Sequence, residues 1–324
     1  MKGWTARALL VAAAMVCGFE AAHAETDAYP QRAVTLVVPF PAGSATDAVA
    51  RKVGEGLQKA LGQPFIIDNR AGAGGLIAVR HVITAKPDGY TLMIATNTTH
   101  AANPSIYKSL PYDPKKDFTP IGGIIRIPYL VAVRADSPAN TLAEFVQVAR
   151  AAKSPLSYGT GNTGGRASGE LLKARLGFDM MEVPYRGSPQ AITDLIGGHI
   201  DVCFPDPASA LSLLHEKKFK VLAVTGPKRV PSLPDVPTVM ESGAPDYSIV
   251  AWVGAFAPAG TPQPIVEKLN AAINAQLRDP AMVEFINQIG AEVFATTPAR
   301  LSSYVEEDTR RWAELVELAK IPRK

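Results

Sequence analysis

The residues Val34-Thr35-Leu36-Val37-Val38-Pro39-Phe40-Pro41-Ala42-Gly43-Ser44-Ala45-Thr46-Asp47 read, in order, as a strand, a break and a helix start. Val34 to Val38 is an apolar, β-branched run of strand length. Two prolines and Gly43 end it. Ser44 with Asp47 three residues on has the form of a helix N-cap. Val49, Val53, Leu57 and Leu61 then fall on one helical face until Gly62 stops it. Phe65 to Ile67 and Thr91 to Ala95 read as the next strands. This order implies an α/β fold with a mainly parallel sheet flanked by helices.

The pattern restarts in mid-chain. Tyr129 to Val133 reads as a strand, and Thr141-Leu142-Ala143-Glu144 is a capping box opening a helix to about Ala152. Leu156 to Tyr158, Met180 to Val183, Val202 to Phe204, Val221 to Val224 and Trp252 to Phe256 are strand-like. Helical patterns over 262–277, 280–289 and 298–318 follow. Periodicity alone leaves one large sheet and two lobes both open; two lobes suit the length better.

At the N-terminus Lys2 and Arg7 precede an apolar run from Ala8 to Val16 and then Ala22-His23-Ala24. That is the order of a secretory signal, with cleavage expected after Ala24 and the periplasm as the destination. The apolar run is about half of a membrane span. A formal net charge of +3 makes nucleic acid a poor partner, because that binding rests on neutralised phosphates. Beyond the signal a single cysteine, Cys203, lies in an apolar strand-like run and reads as packing.

Four loops carry the candidate chemistry, each placed after a strand. The first is Phe40 to Asp47, where free N–H groups and the positive end of a helix dipole make an anion seat. The second is Tyr158-Gly159-Thr160-Gly161-Asn162-Thr163-Gly164-Gly165-Arg166, whose glycines suit close approach of backbone to a ligand. The third is Tyr185-Arg186-Gly187-Ser188-Pro189, with Ser188 as an expected N-cap and Arg186 able to pair with a carboxylate. The fourth ends in Asp206, which suits capping and ligand contact equally. Gly159-x-Gly161-x-x-Gly164 also has dinucleotide spacing, with Asp179 further on. An exported hydrolase or nucleotide-binding enzyme using that loop is therefore the rival reading. An exported chain has little access to such cofactors. No Gly-x-Ser-x-Gly occurs, and the later histidines, His81, His100, His199 and His215, lack metal-ligand spacing. No catalytic residue, metal or cofactor is expected.

Taken together, the motifs resemble a known family. They are Tyr29-Pro30, Val38-Pro39-Phe40-Pro41-Ala42-Gly43 with Asp47, Asp68-Asn69-Arg70-Ala71-Gly72-Ala73-Gly74-Gly75, and Pro87-Asp88-Gly89-Tyr90-Thr91-Leu92. Tyr112-Asp113-Pro114, Asp117-Phe118-Thr119-Pro120, Val183-Pro184-Tyr185-Arg186-Gly187, Leu222-Ala223-Val224-Thr225, Leu233-Pro234-Asp235-Val236-Pro237-Thr238 and Pro258-Ala259-Gly260-Thr261-Pro262 follow. The chain resembles the Bug-type periplasmic solute receptors, the binding proteins of tripartite tricarboxylate transporters. The resemblance implies a two-domain flytrap, with 25–126 and 249–324 forming domain 1 and 127–248 domain 2. It implies a small carboxylate (a dicarboxylate, amino acid or aromatic acid) held for uptake or sensing by a monomer whose partner is a membrane permease or a sensor kinase. Phe40, Ala42, Gly43, Ser44, Asp47 and Thr98 would bind from one side, and Thr160, Gly161, Thr163 and Gly164 from the other. Tyr185, Arg186, Gly187 and Asp206 would complete the wall. Ser44, where the family often has a second glycine, and Arg166-Ala167-Ser168, where it often has a His-Leu pair, are departures that bear on the ligand rather than the fold.

Overall fold

The computed structural model describes residues 29–323; the expected signal segment lies outside them. In chain order the first elements are β1 (Val34–Val38), α1 (Ala45–Leu61), β2 (Phe65–Asn69), α2 (Leu76–Ile83), β3 (Thr91–Thr96), α3 (Asn103–Ile106) and β4 (Phe118–Pro128). Then come β5 (Leu130–Arg134), α4 (Leu142–Ala151), β6 (Leu156–Thr160), α5 (Thr163–Leu176), β7 (Met180–Pro184), α6 (Ser188–Ile196), β8 (Val202–Cys203), α7 (Pro207–His215) and β9 (Phe219–Val224). The chain closes with β10 (Val250–Pro258), α8 (Gln263–Gln276), α9 (Pro280–Gln288), β11 (Glu292–Val293) and α10 (Pro298–Leu318).

The strands form two sheets, ordered β11-β4-β10-β3-β1-β2 and β7-β6-β8-β5-β9. Both are mixed, where the sequence pattern predicted mainly parallel ones. β1 pairs parallel with β2 and β3, but β10 runs antiparallel to β3 and β4. In the second sheet β6 pairs parallel with β7 and β8, and β5 runs antiparallel to β8 and β9. The antiparallel strands are those where the chain leaves or re-enters a sheet without a crossover helix, which the βαβ pattern does not report. Helices α1, α2, α8 and α10 pack on the first sheet, and α5, α6 and α7 on the second.

Local chemistry explains the elements that were read correctly. Val34, Leu36, Val37 and Val38 are all buried, so β1 is apolar on both faces, as a covered central strand must be. Helix α1 starts at Ser44, whose hydroxyl accepts from Asp47 N–H at 3.3 Å, and stops at Gly62 in the left-handed conformation (φ 76°). Thr141 caps α4 by accepting from Glu144 N–H. β4 was not foreseen as a strand because Pro120, Gly122, Gly123 and Pro128 dilute its pattern. Register shifts between Val253 and Gly254 and between Ala255 and Phe256 of β10 absorb those residues. A β-carbon at Gly123 would lie 2.7 Å from the Phe294 ring. The glycine therefore marks a close approach of β4 to the segment after β11.

Under this sheet lies a buried aromatic group. Trp252 of β10 donates from Nε1 to Asp308 Oδ2 of α10 at 2.8 Å. His100 sits in a π-helical turn, Thr98–Ala102, with its ring 4.1 Å from Phe256 and 4.5 Å from Phe118. Thr99 Oγ1 lies 2.9 Å from its Nδ1. Burial lowers the His100 pKa to about 3, so the ring is neutral at physiological pH. Unfolded, it titrates near 6.5. Between those values the unfolded chain binds a proton that the folded chain refuses, so this contribution is constant above pH 6.5 and costs stability as pH falls below it. The expected slope is about 1.4 kcal/mol per pH unit. Urea unfolding from pH 7.5 to 5 should show the slope shrinking by that amount in a His100→Phe variant; an unchanged slope would sink the assignment.

Candidate functional site

The loop between β1 and α1 is built around the Asp47 carboxylate. Its oxygens accept from Gly43 N–H (3.0 Å), Arg51 Nε (3.1 Å), Arg51 Nη2 (2.9 Å) and Asn69 Nδ2 (3.0 Å). Asn69 Nδ2 also reaches the Phe40 carbonyl at 3.0 Å. Burial alone would raise the Asp47 pKa, but the bonds from Arg51, Gly43 and Asn69 outweigh it and hold the carboxyl below its ordinary range. Gly43 adopts φ +81°, which glycine takes without strain. The loop is thus fixed, and the first helical N–H groups of α1, those of Ala45 and Thr46, have no acceptor within the helix.

The second sheet presents a matching helix start. Asn162 caps α5 by accepting from Gly165 N–H at 2.8 Å, which leaves the N–H groups of Thr163 and Gly164 without helical acceptors. A β-carbon at Gly161 would strike the backbone of Gly187 and Ser188, and one at Gly164 would strike the Tyr129 hydroxyl. Gly159 packs against Ile200, Ala191 and Tyr185. The glycines of the apparent nucleotide motif are therefore accounted for by packing against α6, Ile200 and Tyr129.

Helix α6 begins one residue earlier than its sequence indicated. Its cap position is Gly187, in extended backbone with no side-chain cap, and Ser188 is its first residue. The Ser188 hydroxyl is instead free to donate to Asp206 Oδ2 at 2.9 Å. The other Asp206 oxygen caps α7 by accepting from Ser209 N–H, also at 2.9 Å. Tyr185 donates to Asp194 Oδ2 at 2.6 Å; burial and that carboxylate push its phenol up to about 12.

The two sheets face each other across these loops. The Pro41 ring lies against Gly187, and Ser209 Oγ donates to the Gly43 carbonyl at 3.3 Å. Between them lies a cavity of about 170 Å³. Phe40, Gly72 to Gly75, Thr98 and Tyr107 line it from one side, and Thr160 to Thr163, Arg166, Glu182, Tyr185 and Arg186 from the other. A smaller cavity of about 30 Å³ adjoins it, lined by Ser44, Ala45, Thr46, Asn97, Tyr129, Asn162, Ser188 and Asp206. Phe40, Thr98 and Asn162 line both.

Of the residues singled out from sequence, Phe40, Thr98, Thr160, Gly161, Thr163, Tyr185 and Arg186 line the larger cavity, and Ser44 and Asp206 the smaller. Ala42, Gly43, Asp47, Gly164 and Gly187 line neither. Asp47 and Gly43 brace the loop, and Gly164 and Gly187 allow close packing. Sequence reasoning overlooked Asn97, Tyr107, Glu182 and the Gly72–Gly75 turn as lining residues. Only the turn left a signal, a glycine cluster following a strand. Asn97 is buried and neither polar atom of its amide meets a partner in hydrogen-bonding geometry, although the Tyr129 hydroxyl is beside it. Among the described residues no histidine or cysteine lines either cavity. Cys203 is buried in β8 with its thiol pushed up by burial. No group of three potential metal ligands occurs among them.

Two mixed sheets with a polar and aromatic cleft between them, edged by helix N-termini, define a two-lobed binding protein of the periplasmic-binding-protein fold. Residues 49–321 match the model of the tripartite tricarboxylate transporter family receptor, and the chain belongs to that family. A Rhodopseudomonas palustris protein, Rpa4515, solved with adipate, is 37% identical, with a TM-score of 0.89 over 91% of this chain and 100% of that one. The periplasmic binding protein BugD is 36% identical, with a TM-score of 0.86 over 91% of this chain and 100% of its own. MatC from R. palustris with bound malate is 37% identical, with a TM-score of 0.84 over 89% of this chain and 100% of its own. Among the described residues no helix is long and apolar enough to cross a membrane.

Gly187 offers a test of whether the lobes must close this tightly. A β-carbon there would lie 2.5 Å from Pro41 Cγ, across the cleft, while its extended backbone accepts any residue. Overpacking of that kind costs about 1–3 kcal/mol. The Gly187→Ala variant should therefore bind the chain's small-carboxylate ligand roughly five- to a hundredfold more weakly, with its melting temperature in the absence of ligand little changed. Equal affinity by calorimetry would show that the contact is not part of the bound state.

Proposed function

We propose that the chain is an extracytoplasmic receptor that captures a small carboxylate between its lobes and releases it unchanged. The observation that carries this reading is the pair of helix starts, at Ala45–Thr46 of α1 and Thr163 of α5, which line two adjoining cavities between the sheets. Each offers direct N–H bonds and about 0.3–1 kcal/mol from the helix dipole, rising to roughly 2 when partly buried. The ligands in the two R. palustris relatives, adipate and malate, are small dicarboxylates and support the same class here.

The ligand would be a dicarboxylate, an amino acid or an aromatic acid, contacted by the loops from Phe40 to Ser44, Thr160 to Gly164 and Tyr185 to Gly187, with Thr98 and Asp206. Residues 25–126 and 249–324 would move as domain 1 and 127–248 as domain 2, hinged near Arg126 and Ile249, with ligand shifting the open–closed equilibrium. The sequence at Lys2 to Ala24 supports cleavage after Ala24 and a periplasmic location. The closed monomer would present itself to a permease or a sensor kinase.

A panel of mono- and dicarboxylates, amino acids and aromatic acids should contain at least one that raises the melting temperature and binds one to one by calorimetry. Mass spectrometry after prolonged incubation should recover it unaltered. Silence across the whole panel, or the appearance of a product, would refute the receptor reading.

A further inference from the structure

Resting on that reading, we propose that Arg166 is the residue that selects for a dicarboxylate, by receiving the ligand's second, distal carboxylate. Arg166 lies in the first turn of α5 and lines the larger cavity, yet only 8% of its surface is exposed. Its Nε is 2.9 Å from Glu182 Oε2, but neither Nε nor Nη1 makes a hydrogen bond of good geometry. A buried guanidinium has five N–H donors and needs acceptors for them. Glu182 alone does not supply them.

The charges at this end of the cleft choose the partner. Glu182 is a poor seat for a ligand ammonium group, because Arg166 already compensates its charge. Oε2 faces Arg166, and Oε1 accepts from Thr160 Oγ1 at 2.8 Å. Its role is to hold the guanidinium plane in place. Arg186 lines the same cavity, is exposed at its surface, and belongs to none of the ion pairs among the described residues. Two arginines against one glutamate leave a single net positive charge at this wall, which one carboxylate neutralises. An apolar or aromatic tail would leave it uncompensated. The smaller cavity, with the Ala45 and Thr46 N–H groups, adjoins through Phe40, Thr98 and Asn162. One acid with a carboxylate at each end therefore meets an anion seat at both.

Succinate, glutarate and adipate, each titrated against butyrate, pentanoate and hexanoate, test this by calorimetry on the chain from Glu25 onward. At least one dicarboxylate should bind about tenfold or more tightly than its monocarboxylate counterpart. Arg166→Met should erase that preference. Because Arg166→Met strands Glu182, the double variant Arg166→Gln with Glu182→Gln is measured beside it and should lose the same preference with a melting temperature close to the parent's. Monocarboxylates binding as tightly as dicarboxylates, or a preference that survives in the double variant, would overturn the assignment to Arg166 and leave the receptor reading intact. Binding of no acid at all would instead remove the receptor reading, and this inference with it.

Discussion

Two strands cross from one sheet to the other side by side, and Thr225 ties them together. Its N–H donates to the Tyr129 carbonyl and its carbonyl accepts from Ile249 N–H, both at 2.9 Å. Its hydroxyl accepts from Tyr129 N–H and donates to the Ile249 carbonyl, both at 2.7 Å. All four bonds are buried, so none is readily exchanged for water. β4 and β10 pair right up to this point, ending at Pro128 opposite Val250. A rigid antiparallel ladder therefore runs from the floor of the first sheet to one stitched crossing. If the proposed hinge lies here, rotation about that crossing would set the distance between the helix starts of α1 and α5, and with it the size of the cleft.

The short-range parts of this arrangement were legible in the sequence, and the long-range parts were not. A strand followed by Pro39-Phe40-Pro41-Ala42-Gly43 and a capped helix is decided within about twenty residues, and β1, its loop and α1 stand where the pattern put them. Thr141 and Asp206 act as caps for the same reason. β4 was hidden because its prolines and glycines are tolerated only through irregular pairing with β10, which lies more than a hundred residues away in sequence. The pairing of Arg166 with Glu182 joins a helix to the neighbouring strand, and nothing in the spacing of the two residues announces it.

The nucleotide-like loop teaches a related point. Gly159, Gly161 and Gly164 have the spacing of a phosphate-binding turn, but spacing records only that side chains are excluded. Here the excluding atoms belong to the protein itself: Ile200 and Ala191 at Gly159, the α6 start at Gly161, and Tyr129 at Gly164. Tyr129 is the residue that bonds to Thr225. The glycine at position 164 thus lets the N-terminus of α5 sit against the crossing, which brings that helix start to the cleft. The glycines of the motif are accounted for by how they position the helix.

Closure of this cleft has a cost that bears on how a receptor signals occupancy. Asn97 is buried beside the Tyr129 hydroxyl without a well-aligned bond, and Arg166 has only Glu182 at Nε and no partner at Nη1. A buried polar group without a partner costs about 1–3 kcal/mol, more when charged. In an opened cleft the same groups face water. Under the proposed hinge motion, the unliganded chain would be penalised for closing, and a ligand that supplies acceptors there would remove the penalty. By the same motion, opening would also separate Pro41 from Gly187 and break the bond from Ser209 to Gly43. On the proposed mechanism such groups would make closure depend on the ligand, since a fully satisfied cleft would close whether filled or not.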